Sequence, residues 1–78
     1  MPTIRLFAQA RVAAGTARDT LAGSTVSELL SSARAKYGGE FAALLGTCTV
    51  WLNGEPAAHD DHVDPEDELA VLPPVCGG

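Results

Sequence analysis

Residues 25–39 read TVSELLSSARAKYGG, and this stretch decides the fold. Thr25 can cap the start of a helix, and Glu28, three residues later, can complete a capping box. Gly38-Gly39 supplies the left-handed residue that commonly ends a helix. The apolar residues between these signals recur at the spacing of one helical stripe, namely Val26, Leu29, Leu30, Ala33 and Tyr37. The stretch therefore predicts one amphipathic helix with a single buried face.

The segments on the N-terminal side of this helix predict two strands. Residues 3–8 alternate at period two, with Ile4, Leu6 and Ala8 on one face, which is typical of a half-buried strand. Residues 13–16 contain Gly15 and predict a loop or turn. Residues 17–22 can return as a weaker second strand, which would complete a hairpin.

The segments after the helix predict three more strands. Residues 40–46 suggest a short apolar helical turn, and residues 48–53 alternate again as a strand. Asn53-Gly54 is a strong signal for a type I′ hairpin. The strand after it must be short and lie at an edge, because Pro56 cannot donate a ladder hydrogen bond. An acidic loop then leads to a last strand at 68–72.

This order of elements predicts an α+β protein in which a mixed sheet packs on one main helix. Residues 1–72 would form the domain, and residues 73–78 would form an extended C-terminal tail that ends in Gly-Gly. With 78 residues in all, the chain has room for one small core only.

The charge of the chain argues against two classes of partner. Five Lys and Arg residues against ten Asp and Glu residues give a net charge of −5. Nucleic acid and anionic membrane surfaces are therefore not expected as direct partners. No signal peptide or membrane-spanning run is evident in the sequence, so we expect a cytoplasmic protein with Cys48 and Cys76 as reduced thiols.

The tail carries the functional argument, and its residues are Pro73, Pro74, Val75, Cys76, Gly77 and Gly78. Two prolines favour an extended exit from the last strand, and two glycines give a thread without side chains. Six residues at about 3.3 Å each span about 20 Å, enough to enter the active site of another protein. The carboxylate of Gly78 could then attack ATP held there, and a sulfur nucleophile could displace AMP to leave a thiocarboxylate. The alternative is a frayed chain end.

Four stretches resemble a known family: residues 5–11, 53–55, 67–75 and 77–78. They are similar to the MoaD/ThiS sulfur carriers, and they fit the molybdopterin synthase small subunit (MoaD) better than ThiS. The resemblance implies a ubiquitin-like β-grasp fold. It also implies that this chain is a sulfur-donating subunit with no catalytic side chain and no tightly bound cofactor.

The resemblance further implies two partners. A ubiquitin-activating-type adenylating enzyme (MoeB/ThiF-like) would use Mg-ATP to adenylate Gly78 before thiocarboxylation. The tail would then enter the large subunit of molybdopterin synthase (MoaE-like), where the sulfur would pass to the pterin precursor of the molybdenum cofactor. Cys76 departs from the family pattern of Ser, Thr or Ala. It is either a tolerated small residue or a thiol that exchanges with the thiocarboxylate.

Outward positions on the predicted strands suggest where partners bind. Phe7, Trp51 and Leu72 would form one apolar patch on neighbouring strands, beside the tail. Residues 59–62 (His-Asp-Asp-His) could suggest a metal site, but they lack the ligand spacing of one, and a solvated acidic loop is the better interpretation.

Three other functions stay open at this point. One is a sulfur carrier for thiamine, cysteine or another sulfur metabolite. The second is a ubiquitin-like protein modifier that is joined to lysines through Gly78. The third is a plain interaction module with a dispensable tail.

Overall fold

The computed structural model describes residues 1–74, which contain five strands and three helices. In chain order these are β1 (Thr3–Leu6), α1 (Ala8–Ala14), β2 (Arg18–Thr20), α2 (Val26–Tyr37), α3 (Gly39–Leu45), β3 (Thr49–Leu52), β4 (Glu55–Pro56) and β5 (Glu68–Leu72). None of these helices is long and apolar enough to cross a bilayer.

The strands form one mixed sheet in the order β2-β1-β5-β3-β4. The central strand β5 is parallel to its neighbour β1, and every other pair is antiparallel. The first and last strands therefore run side by side in the same direction. The predicted α+β arrangement with a mixed sheet is confirmed.

One hydrophobic core joins the inner face of the sheet to all three helices. Ile4 and Leu69 from the sheet, Leu29 from α2 and Phe41 from α3 have no exposed surface. Ala10 of α1 belongs to the same cluster. Because the helices cover only the inner face, the outer face of the sheet is left open.

The predicted cap of α2 forms, with one change of partner. The Thr25 hydroxyl oxygen accepts a hydrogen bond from the Glu28 N–H at 3.1 Å. The Glu28 carboxylate, however, accepts from the N–H of Ser24 at 2.9 Å and from its hydroxyl at 2.8 Å. These hydrogen bonds from Ser24 lower the pKa of Glu28. The first turn of α2 is therefore tied to the loop that precedes it.

The sequence prediction was wrong at residues 7–8 and 13–14, whereas the predicted turn is present at Gly15. The first strand ends at Leu6, and the helix α1 occupies the expected strand end, residues 9–12, for which no element was predicted, and the first half of the expected turn. Ala8 has a left-handed backbone (φ 49°), which breaks the extended chain directly after Phe7. Gly15, also left-handed (φ 77°), ends the helix. Three alanines between these breaks favour helix, and Ala10 buries its side chain against the core.

The hairpin between β3 and β4 agrees with the sequence. Asn53 (φ 50°) and Gly54 (φ 84°) both have positive φ, as a type I′ turn requires. Leu52 pairs with Glu55 directly across the turn. The two-residue strand β4 contains Pro56 and lies at the edge of the sheet, as predicted.

Candidate functional site

Four apolar side chains lie together on the open face of the sheet, and we call Phe7, Trp51, Ala70 and Leu72 the apolar patch. Trp51 of β3 lies directly across from Ala70 of β5. Phe7 follows β1, and its backbone N–H donates to the Val71 carbonyl at 3.3 Å, which holds it beside β5. Phe7 is 37% exposed and Trp51 is 38% exposed. Two large aromatic side chains are thus partly exposed on the same face of the sheet.

The apolar patch surrounds an open concavity of about 310 Å³. Its lining is mostly apolar and is completed at the hairpin end by Gly54 and Glu68. Gly54 adds no side chain, so the concavity stays open there. A space of this size and chemistry suits an aromatic or aliphatic side chain from another protein.

A charged residue borders the apolar patch on the β1 side. The Arg5 guanidinium lies 5.4 Å from the centre of the Phe7 ring, a cation–π contact. It is also 3.6 Å from a carboxylate oxygen of Glu68. Both charged side chains are about half exposed, so their ion pair contributes little to folding stability. Arg5 therefore lies near both the Phe7 ring and Glu68, at the border of the concavity.

The tail leaves the domain at the edge of the apolar patch. Leu72 ends β5 and lines the concavity, and Pro73 and Pro74 follow it directly. Pro73 is half-buried and Pro74 is exposed. The predictions for Val75, Cys76, Gly77 and Gly78 lie outside the described residues. The structure therefore brings Phe7, Trp51 and Leu72 together with the start of the tail, and their role in partner binding stays a prediction.

The acidic loop lies at the other end of β5. Asp67, directly before β5, accepts hydrogen bonds from the Asn53 side-chain amide at 2.9 Å and from the Asp64 N–H at 2.8 Å. These hydrogen bonds, with that from Asp64 foremost, lower the pKa of Asp67. His62 Nε2 lies 2.8 Å from Asp64 Oδ1 in an exposed pair. Across residues 1–74, no three His, Cys, Asp or Glu side chains are grouped so that they could hold a metal ion.

Cys48 is not placed for chemistry. Its thiol donates to the Leu44 carbonyl at 3.3 Å, and the side chain is half-buried beside the core. Burial raises the pKa of the Cys48 thiol, which disfavours the reactive thiolate.

Sequence reasoning missed the border of the concavity. The alternation over residues 3–8 put Arg5 on the same outward face as Phe7, but neither its contact with the Phe7 ring nor its ion pair with Glu68 was predicted. The parallel pairing of β1 with β5, which sets Arg5 across from Ala70, brings Arg5 to the border of the concavity. That register depends on contacts between distant parts of the chain.

Comparison with known proteins supports the same fold. A family model described as the ThiS family matches residues 4–78. A search of curated protein sequences found no match. The chain is similar to the solution structure of small archaeal modifier protein 1 from Methanosarcina acetivorans, with a TM-score of 0.90 and 27% identity, covering 99% of this chain and 95% of that one.

Two further structures have the same fold. Small archaeal modifier protein 1 from Haloferax volcanii matches with a TM-score of 0.83 and 30% identity, covering 99% of this chain and 98% of that one. A chain from the complex of subunits 1 and 2 of the Helicobacter pylori molybdopterin-converting factor matches with a TM-score of 0.75 and 24% identity, covering 99% and 97%. The predicted ubiquitin-like β-grasp fold is confirmed.

Proposed function

The chain belongs to the ThiS family, and from this premise we propose that it is a sulfur carrier that works through the carboxylate of Gly78. One observation carries the proposal. Leu72 both lines the concavity of the apolar patch and ends the strand from which the tail departs. A protein that binds the apolar patch is therefore held where residues 73–78 begin.

The chemistry needs no catalytic side chain from this chain. The Gly78 carboxylate attacks the α-phosphate of Mg-ATP bound to an adenylating enzyme, and pyrophosphate leaves. A sulfur donor then displaces AMP from the acyl-adenylate and leaves a thiocarboxylate. Because Gly77 and Gly78 have no side chains, they fit a narrow active-site channel that larger residues would block.

The apolar patch would bind each partner in turn. Aromatic side chains in a concavity are the residues that most often anchor protein interfaces. Phe7 and Trp51 supply them, and Arg5 and Glu68 add charges at the border that fix the orientation of the partner. The partners in this proposal are a ubiquitin-activating-type adenylating enzyme and a MoaE-like large subunit.

The acceptor we propose is the pterin precursor of the molybdenum cofactor, with this chain as the small subunit of molybdopterin synthase. Residues 5–11 and the Leu72-Pro73-Pro74 ending support this acceptor, because they resemble MoaD more than ThiS. Carriers for thiamine or cysteine use the same tail chemistry, so the acceptor has to be tested separately from sulfur loading.

A second candidate is a ubiquitin-like protein modifier. The observation in its favour is the 30% identity to the Haloferax volcanii modifier protein over nearly the whole of both chains. In this case the activated Gly78 would form isopeptide bonds with lysines of other proteins.

Intact-mass spectrometry tests the carrier chemistry. The chain is incubated with an adenylating enzyme, Mg-ATP and a sulfur donor. We expect a mass increase equal to the difference between one sulfur and one oxygen atom. The matched control lacks Gly78 and should show no increase while it keeps the same far-UV circular dichroism. A Gly78-deleted chain that still gains the sulfur mass would contradict the proposal.

Two further assays identify the acceptor. Thiocarboxylated protein mixed with the large synthase subunit and the cyclic pterin precursor should yield molybdopterin. Gly-Gly remnants on lysines of cellular proteins would instead support the modifier. Molybdopterin without such remnants supports the first acceptor, and the reverse pattern rejects it.

A further inference from the structure

The chain contains a single lysine, Lys36, among its five Lys and Arg residues. Lysine amines, together with the α-amine of Met1, are the groups that an activated carboxylate acylates to form a stable amide. Arginine is not an acceptor of this kind, because its guanidinium stays protonated. Lys36 is therefore the one side chain in the sequence that could receive an acyl group as an isopeptide.

Lys36 is bound in a small polar cluster at the end of α2. Its Nζ lies 2.6 Å from Asp19 Oδ2 on β2. The Tyr37 hydroxyl donates to the same oxygen at 2.8 Å, and the Thr20 N–H donates to the other carboxylate oxygen at 2.8 Å. The hydrogen bonds from Lys36 and then Tyr37 hold the pKa of Asp19 below its ordinary value. The carboxylate is thus fixed in position as an anion.

This cluster lies on the other side of the sheet from the apolar patch. Asp19 pairs with Ile4, whose side chain is fully buried beneath the helices. Trp51 and Ala70 occupy the opposite, open face. The Lys36 side chain is 53% exposed, so a reagent can reach it. A partner bound at the apolar patch would leave it accessible.

We propose that Lys36 is an acyl-acceptor site that Asp19 holds in check. For acylation, Lys36 must leave the carboxylate, lose a proton to solvent and direct the nitrogen lone pair at the acyl carbon. The new C–N bond then forms, AMP departs with the C–O bonding electrons, and the nitrogen loses a second proton to give the amide. The acyl donor belongs to the class of acyl-adenylates, including that of Gly78 in a second copy of this chain.

The consequence is protection of the carrier from itself. The acyl-adenylate of Gly78 as donor rests on the proposed function, whereas the restraint on Lys36 does not. When the Gly78 of one copy acylates Lys36 of another, its carboxyl group becomes part of an isopeptide bond. That copy can then no longer carry sulfur. Because the ion pair with Asp19 must break first, this side reaction is slowed relative to attack by a sulfur nucleophile.

The first experiment uses a small acyl donor, N-hydroxysulfosuccinimide acetate, on the full chain. Peptide mass spectrometry gives the ratio of acetylation at Lys36 to acetylation at the Met1 amine, which corrects for hydrolysis of the donor. Asp19→Asn should raise this ratio about two- to fivefold, the factor that a partly exposed ion pair commonly contributes. Asp60→Asn removes the same charge within the acidic loop and should leave the ratio at the wild-type value. An unchanged or lower ratio in Asp19→Asn would overturn the proposal, provided circular dichroism shows both variants folded.

The second experiment adds the adenylating enzyme and Mg-ATP without a sulfur donor. We expect a covalent dimer linked from Gly78 to Lys36, formed faster by Asp19→Asn than by wild type and not at all by Lys36→Arg. If the acyl-adenylate accumulates and the dimer forms equally fast in wild type and in Asp19→Asn, the proposal that Asp19 restrains Lys36 is refuted. If no adenylate forms in any variant, the proposed function fails, and the acetylation ratio still decides the role of Lys36.

Discussion

Truncating Phe7 to alanine should weaken the binding of the adenylating enzyme without unfolding the domain. Phe7 is 37% exposed, and of a side chain of about 200 Å² this leaves about 75 Å² for a partner to cover. At about 25 cal/mol per Å², the lost burial amounts to about 1.9 kcal/mol. Since about 1.4 kcal/mol corresponds to a factor of ten, the Kd should rise about 20-fold.

The protein carries its own probe for this measurement. Trp51 is the only tryptophan in the chain, and it lines the same concavity as Phe7. Binding of a partner should exclude water from its indole and shift the fluorescence emission to shorter wavelength. Titrating wild type and variant with the adenylating enzyme and following this emission gives the two Kd values. The fluorescence of the enzyme's own tryptophans is subtracted with a titration of enzyme alone.

Val12→Ala is the matched control. Val12 is the more exposed of the two side chains, at 72%, but it lies on α1 and does not line the concavity. Its truncation should leave the Kd unchanged. If Phe7→Ala binds with the wild-type Kd while its far-UV spectrum and urea midpoint show a folded domain, the apolar patch is not the docking surface.

Three further predictions concern the stability of the domain. A Cβ on Gly23 would lie 2.7 Å from the backbone nitrogen of Leu29, so Gly23→Ala should lower the free energy of unfolding in urea by about 1–3 kcal/mol. Gly46→Ala, whose Cβ would meet no atom closer than 3.8 Å, is its control, and equal losses in both would contradict the steric argument. Ala8 has a left-handed backbone with φ 49°, and Ala8→Gly should raise the free energy of unfolding by about 0.5 kcal/mol. Glycine relieves about 1–2 kcal/mol of backbone strain at this φ. This gain exceeds the entropic cost of fixing a glycine, about 0.5–1 kcal/mol. A lower melting temperature would argue against strain there. The lowered pKa of Asp19 stabilises the folded state in full above the ordinary pKa of 3.8, and this contribution is lost as the pH falls from 3.8 through the lower pKa of the folded state. Asp19→Asn should therefore be less stable than wild type at neutral pH, and the gap in urea midpoints should close in acid; a gap that is constant with pH would refute the linkage.

The elements that the sequence predicted well are those whose signals are local. The helix α2 forms between the cap at Thr25 and the glycines at 38–39, and all of its signals lie within these 15 consecutive residues. The turn between β3 and β4 is similarly determined by two adjacent residues, Asn53 and Gly54, which both adopt positive φ. In both cases the physical cause is contained in a few consecutive residues.

The features that were missed either leave no signal in the local sequence or depend on distant contacts. The helix α1 follows a backbone reversal at Ala8, a residue type that does not signal positive φ, and its single buried residue, Ala10, gives no stripe to detect. The Lys36–Asp19 ion pair joins residues 17 positions apart on different elements. Its formation needs the packing of α2 against β2, which neither segment specifies alone.

The parallel course of β1 and β5 gives the molecule a polarity that experiments can use. Thr3 pairs with Glu68, so the amino end starts level with the beginning of the last strand, about 13 Å from where that strand stops at Leu72. A bead, dye or fusion partner attached before Met1 would therefore lie at the end of the sheet opposite to Pro73. Immobilising the chain by its amino end should keep Leu72 and Pro73, where the apolar patch meets the start of the tail, away from the support.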